Sequence, residues 1–300
     1  MDAVREHSRR GFRWVVDADL EQFFDTLDHQ QLMAALRRRI SDGEMLRLIY
    51  RWLKAGYVAD STHHDSDQGS PQGSVISPLL SNVYLHGFDQ AQQSEKSFIG
   101  RLTRYADDFV IQCGTREQAE QALAWARHSL EAQGVRLHPE KTRIVEDREG
   151  FDFLGFHHQR VASGWGPRKG RESWGVQRWP GRKAQGRFRE RVREMLTVGR
   201  LQTDWAACLE GLERYLRGWG QYFRHGQSQP VFAKLDRYVL ERLARSRSRA
   251  MRYQRGHRRR SWQQCLEVLR QWGRTPQLLT LTREKAAPHR GRANARWRAV

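Results

Sequence analysis

The tightest constraint on this chain is the tetrapeptide Tyr105-Ala106-Asp107-Asp108, set between two short apolar runs, Phe98 to Leu102 and Phe109 to Cys113. Leu102, and then Phe109, Ile111 and Cys113, alternate with more polar neighbours, the period of half-buried strands. Two strands so close in sequence predict a tight turn, with the acidic pair at a hairpin tip. Asp favours turns through local hydrogen bonds alone, so the pair by itself does not define a site. Adjacent carboxylates in a partly dry place repel each other, however, and a divalent cation is the economical neutraliser. Further carboxylates lie upstream in Asp17-Ala18-Asp19-Leu20-Glu21-Gln22-Phe23-Phe24-Asp25. They follow the β-prone run Trp14-Val15-Val16, which predicts a buried strand delivering acids at its end.

Charge divides the chain in two. Residues 1–160 carry 20 Lys plus Arg against 24 Asp plus Glu, and residues 161–300 carry 33 against 10, within a total of +19. A positive field of that size on one half points to a polyanion. Most of the cations are Arg, whose planar fork pairs with phosphate oxygens and stacks on bases. Interleaved Trp, Tyr and Phe favour nucleic acid over a merely solvated surface. No apolar run has the length of a membrane span, and the first residues lack a signal-peptide core. Cys113, Cys208 and Cys265 are far apart and odd in number, which predicts reduced thiols, no structural zinc and a cytoplasmic location. The pairs His63-His64 and His157-His158 read as surface loops.

Local signals place the remaining elements. A short helix leads into Trp14, and Asp28 is positioned to cap a helix carrying Leu32, Leu36 and Ile40 on one face. A second helix carries Leu46, Ile49 and Leu53 and stops at Gly56. The polar stretch Ala59 to Asp67 reads as a loop or hairpin arm. Gln68-Gly69-Ser70-Pro71-Gln72-Gly73-Ser74 is an ordered turn feeding an apolar helix, with glycines that let backbone approach a ligand. Thr115-Arg116-Glu117-Gln118 is a capping box opening a helix that turns Ala119, Ala122, Leu123, Ala126 and Leu130 inward. Residues 161–181 are rich in Gly, Trp and Arg and read as a connection. Beyond it the pattern is helical, with Trp205, Leu209, Leu212, Leu216 and Trp219 on one helix behind an Asp204 cap. Phe232, Leu235, Tyr238, Val239 and Arg242 lie on the next. An arginine cluster from Arg245 to Arg260, a helix around Trp262, Leu266 and Leu269, and a basic tail close the chain.

The order of these motifs resembles the reverse transcriptases encoded by bacterial group II introns, the intron maturases, through almost the whole length. The resemblance implies an α+β fold. A polymerase palm, an antiparallel sheet with packed helices, would span residues 1–160, with the connection at 161–181. An all-α maturase thumb (domain X) would span 182–260, and a basic helix and tail 261–300. It implies an RNA-directed DNA polymerase with an RNA-binding maturase role. The implied partners are intron RNA, an RNA template with a DNA primer, and deoxynucleoside triphosphates, with no membrane partner.

The family spacing of an Asp, an aromatic five places on and a further Asp is met by Asp19, Phe24 and Asp25. Asp19 with Asp107 and Asp108 would then hold two Mg2+ ions, and Asp17 ranks behind Asp19. Phe24 would lie beneath the sugar of the incoming nucleotide and exclude a 2′-hydroxyl. Gln72 and Gly73 match the template and nucleotide contact, although Ser74 stands where many members have a second glycine. Lys141, in Pro139-Glu140-Lys141-Thr142, would orient the triphosphate or donate a proton to the leaving pyrophosphate. Leu154 and Gly155 match the hairpin that grips the primer end. Leu216 to Arg224 resembles the thumb signature, which assigns Arg217, Trp219 and Arg224 to RNA, together with Arg258, Arg259 and Arg260 of the basic cluster. The family's fingers region precedes the first catalytic Asp, and only 18 residues do so here. The expectation is therefore a chain whose fingers are missing or separately encoded. The alternatives to a polymerase are a non-polymerising splicing cofactor that binds intron RNA, or an inactive truncated remnant.

Overall fold

The computed structural model describes residues 2–55, 57–59, 62–64, 68–69, 75–95, 99–163, 173–197, 205–253 and 278. They form an α+β protein divided into two compact units, 1–177 and 178–300.

The first unit is organised on a four-stranded antiparallel sheet of β1 (Trp14–Ala18), β4 (Arg101–Tyr105), β5 (Asp108–Cys113) and β6 (Arg143–Glu146), in the order β4-β5-β1-β6. β2 (Tyr57–Ala59) and β3 (Thr62–His64) form a separate hairpin in the stretch read as a loop or hairpin arm. The strand expected from Phe98 begins at Arg101 and runs to Tyr105, which pairs with Asp108, so the turn itself is Ala106-Asp107.

Helices cover one face of this sheet: α2 (Phe23–Thr26), α3 (His29–Arg37), α4 (Gly43–Lys54), α5 (Ser77–Tyr84), α6 (His86–Glu95) and α7 (Arg116–Glu131). Both caps form as expected. Asp28 accepts from the Gln31 amide at 2.8 Å, and Thr115 and Gln118 make the reciprocal capping pair. Against these helices the sheet buries Val16, Ala18, Phe109, Ile111 and Cys113 with Leu32, Leu36, Leu80, Phe88, Ala122 and Ala126.

The alternation in β5 predicts one buried face, but both are covered. Val110 lies with Val4, Val15, Val145, Phe151 and Phe153 in a second apolar cluster. Val4 comes from α1 (Asp2–Arg9), and Phe151 and Phe153 from β7 (Phe151–Phe153). Gln112, wholly buried on β5, donates to the Val4 carbonyl at 3.2 Å and to Ser8 Oγ at 2.9 Å. A buried amide must find such partners, and these are more than a hundred residues away in sequence.

β7 pairs with β8 (Phe156–Ser163), which pairs in turn with β9 (Ser173–Pro180). The stretch read as a connection therefore holds strand at its two ends, and residues 164–172 lie outside those described. His157 and His158, read as a surface loop, lie on β8, where His158 is fully buried and stacked on Phe151 at 5.3 Å.

The second unit carries the helices α8 (Arg182–Met195), α9 (Trp205–Phe223) and α10 (Gln229–Tyr253). Phe188, Val192, Leu212, Leu216, Phe232, Leu235 and Val239 are buried in it. Trp219 stands among Phe188, Phe223 and Phe232, with ring centroids 4.7, 4.4 and 5.7 Å away. The Leu278 amide donates to buried Asp236 at 2.8 Å, so part of the stretch read as a basic tail is inside. Asp204 lies outside the described residues. No helix among the described residues is long and apolar enough to cross a membrane.

After α9 the chain turns back on Arg178. Its Nε and Nη2 donate to the His225 carbonyl at 3.1 and 3.0 Å, and the Gln227 amide donates to its carbonyl at 2.7 Å. Between those contacts sits Gly226, where a Cβ would fall 2.3 Å from the Arg178 carbonyl oxygen. Gly226→Ala is therefore expected to lower stability by about 1–3 kcal/mol, the usual cost of overpacking. Denaturant unfolding of the second unit's tryptophans checks this, and an unchanged midpoint would show that the turn yields freely.

Candidate active site

Register brings the acids together. In the antiparallel pairing of β1 with β5, Asp17 faces Val110 and Ala18 faces Phe109. Asp19 and Asp108 are the residues next beyond the last pair of that ladder, and Asp19 is close enough to act on Asp108 electrostatically. The turn residue Ala106 has a φ of +55°, uncommon for a residue with a Cβ, and Asp107 follows it. Asp108 is held up to about 6 by burial and by the nearby carboxylates of Asp17, Asp107 and Asp19. Burial likewise raises Asp17, with Asp152 and Asp19 adding to it and Arg143 opposing it. Such a cluster of carboxylates attracts cations of any kind.

The loop after α7 and the strand that follows it each supply one. Leu20 bridges to Leu137, and the His138 amide donates to the Asp19 carbonyl at 2.8 Å, which continues the edge of β1 past its end. The chain turns at Pro139-Glu140 and returns as β6. Lys141 Nζ thereby meets Asp19 Oδ2 at 2.8 Å, and Arg143 Nη2 meets Asp17 Oδ2 at 3.0 Å. Lys141 thus lies beside Asp19. Arg143 was missed in the sequence, although its place two residues after Lys141 on a strand facing Asp17 was a usable signal.

The β7–β8 hairpin closes another side. Its turn is Leu154-Gly155, with φ values of +51° and +77°, and the Leu154 amide donates to Asp108 Oδ2 at 3.3 Å. Phe23 is buried in the core, whereas Phe24 is only partly buried, packed edge-on to Phe23 with centroids 5.3 Å apart. Gly69 is strapped to the same segment. Its amide donates to the Leu27 carbonyl at 2.7 Å, and a Cβ there would stand 2.7–2.8 Å from the Asp25 and Phe24 carbonyl oxygens. Gln72 and Gly73 lie outside the described residues, as do Arg258, Arg259 and Arg260.

Of the second unit's candidates, Arg217 is exposed and pairs with Glu213 at 2.8 Å, and Arg224 is partly buried just after α9. Trp219 packs against three aromatic rings and is only partly buried, the place of a large ring near the inward period of its helix.

A divalent ion would find hard carboxylate oxygens here, the donor type that Mg2+ requires. Among the described residues no three ligand side chains already converge on one point. Asp19 is engaged by Lys141 instead, and that ammonium would have to turn aside for an ion. The donor chemistry fits. A cavity of about 680 Å3 between α3, α5 and α6, lined by Arg38, Arg39, Tyr84 and His86 among others, includes none of these acids.

Two family models match the chain. The reverse transcriptase (RNA-dependent DNA polymerase) model covers residues 2–158, and the group II intron, maturase-specific domain covers residues 185–266. With over half of its length matched, the chain belongs to the reverse transcriptase family. It is 37% identical over 186 residues to the protein YkfC of Escherichia coli, covering 51% of this chain and 49% of that one. It is 44% identical over 80 residues to the group II intron-encoded protein LtrA of Lactococcus lactis, 27% of this chain and 13% of that one. The putative COX1/OXI3 intron 2 protein of Saccharomyces cerevisiae is 41% identical over 199 residues, 48% of this chain and 23% of that protein. The chain therefore spans half or less of the length of these relatives. Among solved structures, telomerase from Candida albicans in complex with a telomeric RNA fragment aligns at a TM-score of 0.44 and 12% identity, over 90% of this chain and 48% of that one.

Proposed function

We propose that this chain carries out RNA-templated DNA synthesis by nucleotidyl transfer, with Asp19, Asp107 and Asp108 as the catalytic acids, in a protein that also binds intron RNA. The observation that carries the reading is the gathering of those carboxylates where β1 and the β4–β5 hairpin end, with Asp108 raised to about 6 by burial and, after it, by its acidic neighbours. Two Mg2+ ions held there would activate the primer 3′-hydroxyl and stabilise charge on the departing pyrophosphate. The protein's own share is alignment. Leu154 and Gly155 hold the primer end close to Asp108, Phe24 stands under the sugar, and Gln72 and Gly73 meet the template and the incoming deoxynucleoside triphosphate. Lys141, freed from Asp19, is within reach to orient the triphosphate or protonate the leaving group. On this reading residues 1–160 act as palm and 182–260 as thumb.

The test is extension of a DNA primer on an RNA template by the full chain with and without magnesium. Extension that requires both template and magnesium is expected. None at any nucleotide concentration, where RNA binding is intact, would overturn the polymerase reading.

That second outcome would favour the other role, a splicing cofactor that binds intron RNA without polymerising. It is supported by the excess of cations over acids after residue 160, 33 against 10. Binding of the full chain to structured RNA should weaken steeply with salt, each phosphate contact adding about 0.7–0.9 to the log–log slope. Replacing Arg258, Arg259 and Arg260 together should flatten that slope, and an affinity indifferent to salt would refute the charge argument.

A further inference from the structure

Beneath the acidic turn lies a guanidinium that none of the assigned roles uses. Arg104, on β4, has a side chain only 8% exposed. Its Nε donates to Asp89 Oδ1 at 2.7 Å, and Nη2 completes a two-pronged pair with Asp89 Oδ2 on α6. Nη1 donates to Asn82 Oδ1 on α5 at 3.0 Å and to the Ala106 carbonyl at 2.7 Å. Three elements and the turn thus share one planar group.

Geometry makes the last contact informative. Ala106 is the turn residue with a φ of +55°, a conformation that costs free energy for any residue but glycine and persists where surroundings hold it. Its carbonyl opens the peptide to Asp107, and Asp108 follows. Whatever fixes that carbonyl fixes where both carboxylates point. A rigid fork already anchored by a carboxylate can do so with little further loss of side-chain freedom.

We propose that Arg104, anchored by Asp89 and Asn82, is a positioning residue for the Asp107-Asp108 pair, locking the Ala106 turn in its catalytic orientation. It touches no substrate and holds no metal. The inference rests on the polymerase reading for its kinetic consequence, but the lock itself is a property of the turn.

The test combines kinetics with local hydrogen exchange on the full-length Arg104→Gln and Arg104→Lys variants. Misplacing a catalytic group by about an ångström costs on the order of a hundredfold. Arg104→Gln should therefore lower kcat for primer extension by roughly 30- to 100-fold, while KM for the nucleotide stays within about twofold. Arg104→Lys keeps the charge but lacks the fork, and should recover only part of the rate. Asp89→Asn, which leaves Arg104 in place with a weaker anchor, should fall between Arg104→Gln and the parent. In the absence of nucleotide, the amides of residues 106–109 should exchange faster in Arg104→Gln, while those of α7 keep the parent rate.

An unchanged kcat with unchanged exchange at the turn would overturn the proposal. So would faster exchange throughout the unit, with the rate restored by cooling, because that pattern describes general destabilisation. Should the parent chain fail to extend a primer, the polymerase reading is what has failed, and exchange at residues 106–109 still decides whether Arg104 locks the turn.

Discussion

Asp108→Asn is expected to lower magnesium-dependent primer extension by at least about a thousandfold, the several kcal/mol that metal-assisted charge stabilisation supplies, while leaving the fold intact. Structure argues for this pairing of outcomes. Asp108 sits among Asp17, Asp107 and Asp19, and burial with their charge raises it to about 6. A carboxyl whose folded pKa lies above its unfolded value contributes stability that is lost as pH rises through that window, here from about 4 to about 6. The neutral amide escapes this loss, and its oxygen can still accept the Leu154 amide that now reaches Oδ2 at 3.3 Å. Without divalent cations the variant should therefore match or exceed the parent's Tm at pH 7.5, and the difference should vanish near pH 4. Activity and stability move in opposite directions, which loss of folding cannot imitate. Extension within tenfold of the parent would remove Asp108 from the catalytic set.

Local chemistry was legible in the sequence and long-range pairing was not. The caps at Asp28 and Thr115, the strand at Trp14 and the turn before Asp108 each depend on residues within a few positions. Their signals therefore survive without knowledge of the fold. Gln112 shows the limit. In the sequence it reads as the outward half of an alternating strand, yet it is buried because Val4 and Ser8 of α1 satisfy its amide. Trp219 shows the same limit from the other side: its place on the apolar face of a helix is legible in the sequence, but the rings that pack on it come from two other helical stretches as well as its own helix, and only the fold brings them together.

The acids were found because a motif fixes their spacing. Arg104 and Arg143, which govern where those acids point and what they pair with, were not. An arginine's partner depends on register and helix packing, and nothing in its own neighbourhood encodes them. The same holds for the cations that meet the upstream acids: Asp17 is paired with Arg143 and Asp19 with Lys141, contacts that the sequence order does not reveal.

Arg160→Met should be the costliest single change to the stability of the first unit, by about 3–5 kcal/mol, the range for breaking a buried ion pair. Arg160 and Asp147 are 8% and 1% exposed at their side chains, and Arg160 Nε meets Asp147 Oδ1 at 2.8 Å. Arg160 also reaches Glu146 at 3.3 Å and lies 5.2 Å from the Trp174 ring centroid. The pair ties the end of β6 to β8, whose hairpin carries Leu154 to Asp108. Burial raises Asp147 and Arg160 opposes that rise. Removing the guanidinium leaves a buried carboxylate with only the weaker influence of Arg13 against it, so the folded pKa climbs further above its unfolded value. By the same linkage, the deficit of Arg160→Met should be small near pH 4 and grow as pH rises towards neutrality. Asp147→Asn should cost less, because Arg160 retains Glu146. The double variant should be more stable than Arg160→Met alone, since it leaves no uncompensated charge inside. Urea unfolding of the four proteins at pH 4.5 and 7.5 measures all of this. A deficit independent of pH would show that the arginine acts by packing on Trp174 and not by neutralising Asp147.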